Sequence, residues 1–431
     1  SSWATTATTK DREVSRVSGV TSKSRCACRW SSPIHAAKNQ AEADAAVTEM
    51  QRGTFTVADL ESRKTSSKPS APFITSTLQQ AASSKLGFGV KRTMTVAQKL
   101  YEAGLITYMR TDSYNLSSDS IANVRKYIGK NFASDYLPKD RRFYAKKGAH
   151  AQEAHEAIRP SDVNIKSTQV KVGASEAKLY ELIWRRFVAC QMSDAKFNNV
   201  NLTVKAGDYQ LAANGRSLIF DGFTAVMPLT SDDNLLPEDI KVGDQLKLDK
   251  LLPKQHFTKP APRYSEAALV KELEKLGIGR PSTYAAIIST IQDRGYVEIL
   301  HKRFHALKIG EVVVDRLMDS HFDFMDLDFT AHMEDRLDTI AEAKSDWRSV
   351  LDAFYSEFKC QLDKADEASG GMHENTSTLV PGVKCSKCKG GMNIVIGSTG
   401  MFLSFGCSFI LLKISQPFPS LILTSRIIIC G

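Results

Sequence analysis

Three short stretches of this 431-residue chain carry side chains that could do chemistry. In Leu105-Ile106-Thr107-Tyr108-Met109-Arg110, a strand over Leu105 to Met109 would put Tyr108 and Arg110 on one face. A free phenol, with a pKa of about 10, is a weak nucleophile at neutral pH. A guanidinium on the same face favours the phenolate and grips phosphate oxygens in pairs. The pair therefore suits attack on a phosphodiester, although a core tyrosine on an edge strand beside a surface arginine has the same spacing. In His155-Glu156-Ala157-Ile158-Arg159-Pro160, a helical conformation would stack His155 and Arg159 one turn apart, with Pro160 ending the helix. Such a pair could clamp phosphate, or could simply complement a helix C-terminus. Cys385 and Cys388 form a C-x-x-C pair with metal-ligand spacing, and Cys407 follows.

These residues need elements to hold them. Residues 73–195 read as mostly helical. Residues 196–250 alternate apolar and polar positions between turn signals, as an antiparallel sheet does, and residues 264–365 return to helix. Within the helical parts lies a repeat. Lys85-Leu86-Gly87-Phe88-Gly89 matches Lys275-Leu276-Gly277-Ile278-Gly279, and the exit glycines Gly104 and Gly295 keep their spacing to within one residue. Each copy predicts a helix capped by Ser or Thr, a glycine stop, a second helix and a strand. In the second copy Leu269, Leu273 and Leu276 form an apolar stripe, Pro281 opens the next helix, and Ile287, Ile288 and Ile291 face inward. That order is a helix-turn-helix of the winged type, and two copies suggest a two-winged grip on DNA. Two unrelated helical hairpins would give the same signals. Polar, Pro-bearing stretches at 62–72, 253–263 and 368–382 read as linkers.

Composition narrows the class without naming it. Lys plus Arg total 57 against 48 Asp plus Glu, a formal charge of +9 that fits a nucleic-acid partner. Eight cysteines are too sparse for a disulfide framework, so the compartment reads as reducing. Residues 1–36 have the Ser, Thr, Arg and Lys content of a transit peptide, or of a misread or truncated end. The apolar run 409–431 is broken by Lys413, Pro417, Pro419 and Arg426, too often for a membrane span.

Four longer stretches carry a resemblance. They are Pro69 through Ser83, Tyr101 through Ser113, Ala154 through Asp162, and Ser265 through Val297 with its Gly277-Ile-Gly-Arg-Pro-Ser-Thr-Tyr-Ala segment. Through them the chain, from about residue 40 to about 408, closely resembles the type IA DNA topoisomerases of bacteria. The resemblance implies that Tyr108 attacks one DNA strand and holds its 5′ phosphate. Arg110 would contact the scissile phosphate, and His155 would support those contacts. Arg159, Lys91, Arg280, Ser282 and Thr283 would bind DNA. It further implies ATP-independent relaxation of negatively supercoiled DNA through strand passage. The partner would be DNA, single-stranded or negatively supercoiled, met by a monomer in the cytoplasm, at the nucleoid, or in an organelle if the source is eukaryotic. A non-catalytic module that grips single strands shares every feature except cleavage. A tyrosine recombinase would need a further set of basic residues around its tyrosine.

The implied fold class is α+β multidomain: a toroid core with two winged-helix (CAP-like) domains, a β arch and a partial zinc ribbon. The expected parts are 1–36 unassigned, 37–72 arch segment and linker, 73–195 tyrosine domain, 196–262 β arch, and 263–367 second winged-helix domain. A linker over 368–382, a zinc ribbon over 383–408 and an aberrant apolar tail over 409–431 complete the list. The resemblance implies Mg²⁺ held by an Asp-x-Asp-x-Glu cluster in a Toprim domain. The nearest match here, Asp326-Leu-Asp328-Phe-Thr330, has Thr in place of Glu. The chain is therefore expected to be incomplete for catalysis. Cys385, Cys388 and Cys407 would be three Zn²⁺ ligands, with Cys430 or water as the fourth.

Overall fold

The computed structural model describes residues 16–21, 24–26, 39–144, 155–228, 240–252, 260–320, 322–369, 378–384, 391–397, 400–405 and 408–413. Two compact units divide at Arg263 and Tyr264.

In the first unit the polar stretch after residue 54 is no linker at its start. Phe55–Ser67 form a long strand, β3, after a strand β1 (Arg16–Thr21), a short β2 (Ser24–Cys26) and the helix α1 (Gln40–Arg52). Strand β3 pairs antiparallel with β4 (Ala195–Ala206), which pairs with β5 (Tyr209–Phe220), while β6 (Gln245–Leu246) flanks β3 on its other side. The reading of 62–72 as a linker missed this because Thr and Ser alternate with charged residues there. Backbone pairing along β4, from Phe55↔Ala206 to Ser67↔Ala195, supplies what the side chains do not. The sheet expected over 196–250 thus takes in Phe55–Ser67 as well. Strand β7 (Leu248–Leu252) pairs with β1, so part of the unassigned region 1–36 belongs to the fold.

Strand β4 serves two cores. Ala195 and Phe197 are buried at its start and Leu202, Val204 and Ala206 at its end, so the buried positions change parity and the strand changes its core face. The later set packs with Ala46 and Met50 of α1 and with Phe55, Val57, Leu211 and Leu251. At the other end the Arg216 guanidinium lies 3.3 Å from the Phe197 ring centroid.

The remainder of the unit is helical: α2 (Thr75–Leu86), α3 (Val90–Glu102), α4 (Ser118–Asn131) and α5 (Ala174–Cys190). Leu78 and Ala82 of α2, Ala97 and Leu100 of α3, and Leu179, Ile183 and Val188 of α5 are fully buried. Gly87 stops α2 at φ 68°, a left-handed conformation that glycine adopts at no steric cost.

In the second unit α6 (Glu266–Lys275) is capped by the Ser265 hydroxyl, which accepts from the Ala268 N–H at 3.2 Å. Gly277 turns the chain at φ 72°. The next helix, α7 (Tyr284–Asp293), starts at Tyr284 rather than Pro281, because residues 281–283 form a turn. Val270, Tyr284 and Ile288 are the deepest residues of the pair, and the Leu269, Leu273 and Leu276 stripe is only partly buried. A hairpin of β8 (Val297–Leu300) and β9 (Arg303–Ala306) follows. Its first strand stands where this copy was expected to place one after the second helix. Helices α8 (Lys308–Asp319), α9 (Leu327–Ala341) and α10 (Trp347–Ser369) come next.

The unit closes with an antiparallel sheet of β10 (Thr378–Lys384), β11 (Gly391–Gly397), β12 (Gly400–Phe405) and β13 (Ser408–Lys413). The expected linker over 368–382 is therefore helix at its start and strand at its end. The first residues of the expected aberrant tail pair with β12 as a fourth strand. Cys385, Cys388, Cys407 and Cys430 lie outside the described residues. No described helix is long and apolar enough to cross a membrane.

Candidate active site

The segment that carries Tyr108 and Arg110 leaves α3 through Gly104, at φ 69°. It bends at Leu105, Thr107, Met109 and Arg110 and forms no regular strand. Its ladder is one bridge, Ile106↔Pro160, with the Thr107 N–H donating to Arg159 O at 2.9 Å and the Ser161 N–H to Leu105 O at 2.9 Å. Side chains replace the rest of the ladder. The Thr107 hydroxyl donates to Ala157 O at 2.7 Å and accepts from the Arg159 N–H at 3.0 Å.

A second threonine fixes the far end. The Thr75 hydroxyl, fully buried, donates to Met109 O at 2.8 Å and accepts from the Thr111 N–H at 2.9 Å. The Thr75 N–H also donates to Thr111 O at 2.9 Å. Thr75 is thus not the cap expected of the first repeat. Ile74 occupies the cap position, and its N–H donates to the Thr77 hydroxyl at 3.0 Å.

Between the clamps the burial alternates. Ile106, Met109 and Thr111 are buried, whereas Tyr108 is 42 % exposed and Arg110 is also exposed. Tyr108 and Arg110 are thus both exposed, although the strand expected to carry them is absent. Buried tyrosines of the same unit make poor nucleophiles. Burial pushes the Tyr180 phenol up to about 12, and its hydroxyl is spent on Ile165 O at 2.9 Å. The Tyr101 ring of α3, also exposed, meets the Tyr108 ring edge-to-face at 5.3 Å.

Residues 155–160 are not helical. They run extended, with the Ile158 N–H donating to Phe73 O at 2.8 Å and the Ala157 N–H to Asn115 O at 2.8 Å. The pairing with Phe73 and Ile106 outweighs the one-turn helix that His155 and Arg159 suggested. Arg159 turns back on Glu156. Its Nε and Nη2 donate to the two carboxylate oxygens at 2.8 Å each, and Nη1 donates to Pro160 O at 3.0 Å. Burial would raise the Glu156 pKa, but the Arg159 hydrogen bonds and the Ser117 N–H outweigh it and hold the carboxyl below its ordinary range. Arg159 here braces the segment opposite Tyr108. His155, partly buried, stands just before that brace.

The other predicted DNA contacts are dispersed. Lys91 is exposed in the first turn of α3. Ten residues at 1.5 Å rise separate it from Tyr101, so it lies about 15 Å along the helix from the Tyr108 contact. In the second unit Arg280 and Ser282 stand in the turn before α7, with Thr283 as its N-cap. The Arg280 guanidinium donates to Asp338 Oδ2 at 2.8 Å, with Asp335 at 3.8 Å and Glu334 at 3.9 Å on α9. The Thr283 hydroxyl accepts from the Arg280 N–H at 2.8 Å. Phosphate would meet Arg280 only in exchange for these carboxylates. Thr75, Thr107, Tyr101 and Glu156 were not singled out from sequence. Their signal is a partner far along the chain.

Among the described residues no group of three or more His, Cys, Asp or Glu is placed to hold a metal. Asp326 and Asp328 lie at the start of α9, where carboxylates complement the helix dipole. The described residues therefore do not fit the Mg²⁺ that the resemblance implies.

Comparison with known proteins identifies the family. A DNA topoisomerase family of bacterial type matches residues 6–352, so the likeness begins ahead of residue 40. DNA topoisomerase 1 of Pseudomonas aeruginosa is 56 % identical over 374 residues, and that of Escherichia coli 55 % over 375, each across 86 % of this chain. The chain spans 42 % and 43 % of those two proteins' lengths. Full-length topoisomerase I from Thermotoga maritima superposes with a TM-score of 0.76 at 30 % identity, over 92 % of this chain and 65 % of that one. Motifs, fold and relatives agree: the chain belongs to the bacterial-type DNA topoisomerase family.

Proposed function

We propose that this chain is the strand-cleaving part of a type IA DNA topoisomerase, with Tyr108 as its nucleophile. The observation that carries the reading is the doubly clamped segment that presents Tyr108 and Arg110 together to solvent. The Tyr108 oxygen attacks phosphorus in a single strand. The bond to the 3′ oxygen breaks, the 5′ phosphate stays on Tyr108, and a free 3′ hydroxyl leaves. Arg110 neutralises the charge that builds on the phosphoryl oxygens. His155 and Lys91 add contacts to the strand, and in the second unit Arg280, Ser282 and Thr283 are DNA contacts of their own. A phosphotyrosine ester retains the free energy of the broken bond, so religation needs no ATP. The other strand passes while the break is open, and negatively supercoiled DNA relaxes.

A second reading, in which these 431 residues grip single strands without relaxing them, differs from the first only in cleavage. The test is a chimaera. The matched stretch of the Pseudomonas aeruginosa enzyme is replaced by the corresponding stretch of this chain. The chimaera should relax negatively supercoiled plasmid, and Tyr108→Phe should abolish relaxation while sparing salt-sensitive binding of a single-stranded oligonucleotide. Relaxation by the Tyr108→Phe chimaera would remove Tyr108 from the role.

A further inference from the structure

The two copies of the repeat stop their second helices with the same backbone and differ in two side chains. In the first copy the Gly104 N–H donates to Tyr101 O at 2.8 Å and the Leu105 N–H to Leu100 O at 3.0 Å, with Gly104 at φ 69°. In the second the Gly295 N–H donates to Gln292 O at 2.9 Å and the Tyr296 N–H to Ile291 O at 3.0 Å, with Gly295 at φ 66°. Counted from the glycine, Tyr101 stands where the second copy has Gln292, and Tyr108 stands where it has Ile299. The shared stop therefore needs a tyrosine at neither place. The Gln292 side chain bonds back to Ile288 O of its own helix at 2.9 Å. Tyr101, in the last turn of α3, meets the Tyr108 ring instead, edge to face with centroids 5.3 Å apart.

This contact supplies what the threonine clamps leave open. Thr75 and Thr107 fix backbone on either side of Tyr108. Hydrogen bonds to the backbone do not choose among the staggered rotamers of a tyrosine. A change of χ1 at an exposed tyrosine swings its oxygen away from any phosphate placed for attack. Among the described residues no other ring meets Tyr108 and no hydrogen bond holds its hydroxyl. We propose that Tyr101 is a positioning residue for the nucleophile: its ring selects the Tyr108 rotamer that presents the phenol oxygen to the strand. The proposal rests on the proposed function, in which Tyr108 attacks. The ring carries the role, since the contact is between ring edge and ring face. An aromatic pair of this geometry favours the paired arrangement by roughly two- to twelvefold.

The second copy supplies the test variant. Tyr101→Gln installs its residue, a good helix former, at an exposed helical position, so folding should be untouched. Tyr101→Phe keeps the ring. In the chimaera, Tyr101→Gln should cleave a bound single-stranded oligonucleotide roughly two- to twelvefold more slowly in a single turnover, with an unchanged Kd for the oligonucleotide. Tyr101→Phe should cleave at close to the unaltered rate. In the 431-residue chain with selectively labelled tyrosine, the Tyr108 ring signals in NMR are identified by their loss in Tyr108→Phe. They should shift in Tyr101→Gln and hold their place in Tyr101→Phe. Unmoved signals in Tyr101→Gln would overturn the contact, whether or not the chimaera cleaves. An unaltered cleavage rate in Tyr101→Gln would overturn the positioning role, and with weakened binding it would make Tyr101 a surface for the strand instead. An equal loss of rate in Tyr101→Phe would also overturn it, by moving the role from the ring to the hydroxyl. Cleavage that persists in Tyr108→Phe would overturn the proposed function itself, and the positioning role with it.

Discussion

Replacing Thr75 by Val should loosen the nucleophile without touching it. Valine keeps the shape but deletes the hydroxyl that bonds Met109 O at 2.8 Å and the Thr111 N–H at 2.9 Å. Both groups are buried, and a buried polar group left without a partner costs about 1–3 kcal/mol. The backbone bond from the Thr75 N–H to Thr111 O survives, so a loss of about 2–4 kcal/mol is expected rather than the full sum. In a unit of this size each kcal/mol moves the melting temperature by roughly 2–4 °C, giving a fall of roughly 5–15 °C. Thr75→Ser keeps the hydroxyl and should recover most of it. The consequence for chemistry follows from position, since Met109 and Thr111 flank Arg110 and adjoin Tyr108. A drift of about 1 Å in a reacting group costs on the order of 10²-fold in rate. Calorimetry gives the first quantity, and plasmid relaxation by the chimaera gives the second. A Thr75→Val protein that melts within about 2 °C of wild type would refute the clamp.

Other outcomes are expected. Glu156→Gln removes one partner of a two-bond pair with Arg159 and should destabilise the first unit at neutral pH by about 1–3 kcal/mol, read by urea unfolding. The folded carboxyl lies below its ordinary range, so its contribution is full above that range and is lost as pH falls through the folded value. The gap between wild type and Glu156→Gln should therefore narrow in acid. Gly222→Ala should harm folding far more than Gly87→Ala. Both glycines have positive φ, but a Cβ at Gly222 would stand 2.5 Å from Asp194 O, whereas at Gly87 it meets nothing within 4 Å. Circular dichroism melts of the two variants compare them. The 431-residue chain with Mg²⁺ should bind oligonucleotides and leave supercoiled plasmid unrelaxed.

Much of the site was legible before the fold. The two-residue spacing of Tyr108 and Arg110 anticipated their exposure, and Met109 and Thr111 between and beyond them are buried. The glycine stops of the repeat appear at Gly87 and Gly277 with the left-handed backbone that glycine permits. What failed did so for one physical reason. His155 and Arg159 have helical spacing, and Arg63 and Lys64 have linker polarity, but each segment is fixed by partners far along the chain. Ile158 pairs with Phe73, and β3 pairs with β4 more than a hundred residues away. Local pattern carries no record of such pairing. Thr75 and Thr107 were invisible as clamps for the same reason: a buried threonine hydroxyl looks in sequence like any helix cap.

The central claim is that Tyr108 forms a covalent bond to DNA through a 5′ phosphate. The most direct measurement uses the chimaera and a single-stranded oligonucleotide labelled at its 3′ end, quenched with denaturant and run on a denaturing gel. A label at the 3′ end stays with the fragment that the tyrosine retains. Labelled protein is expected, absent from the Tyr108→Phe control, and digestion should place the nucleotide on the peptide that contains Tyr108. Labelled protein that persists in the control, or a nucleotide mapped to another residue, would contradict the account.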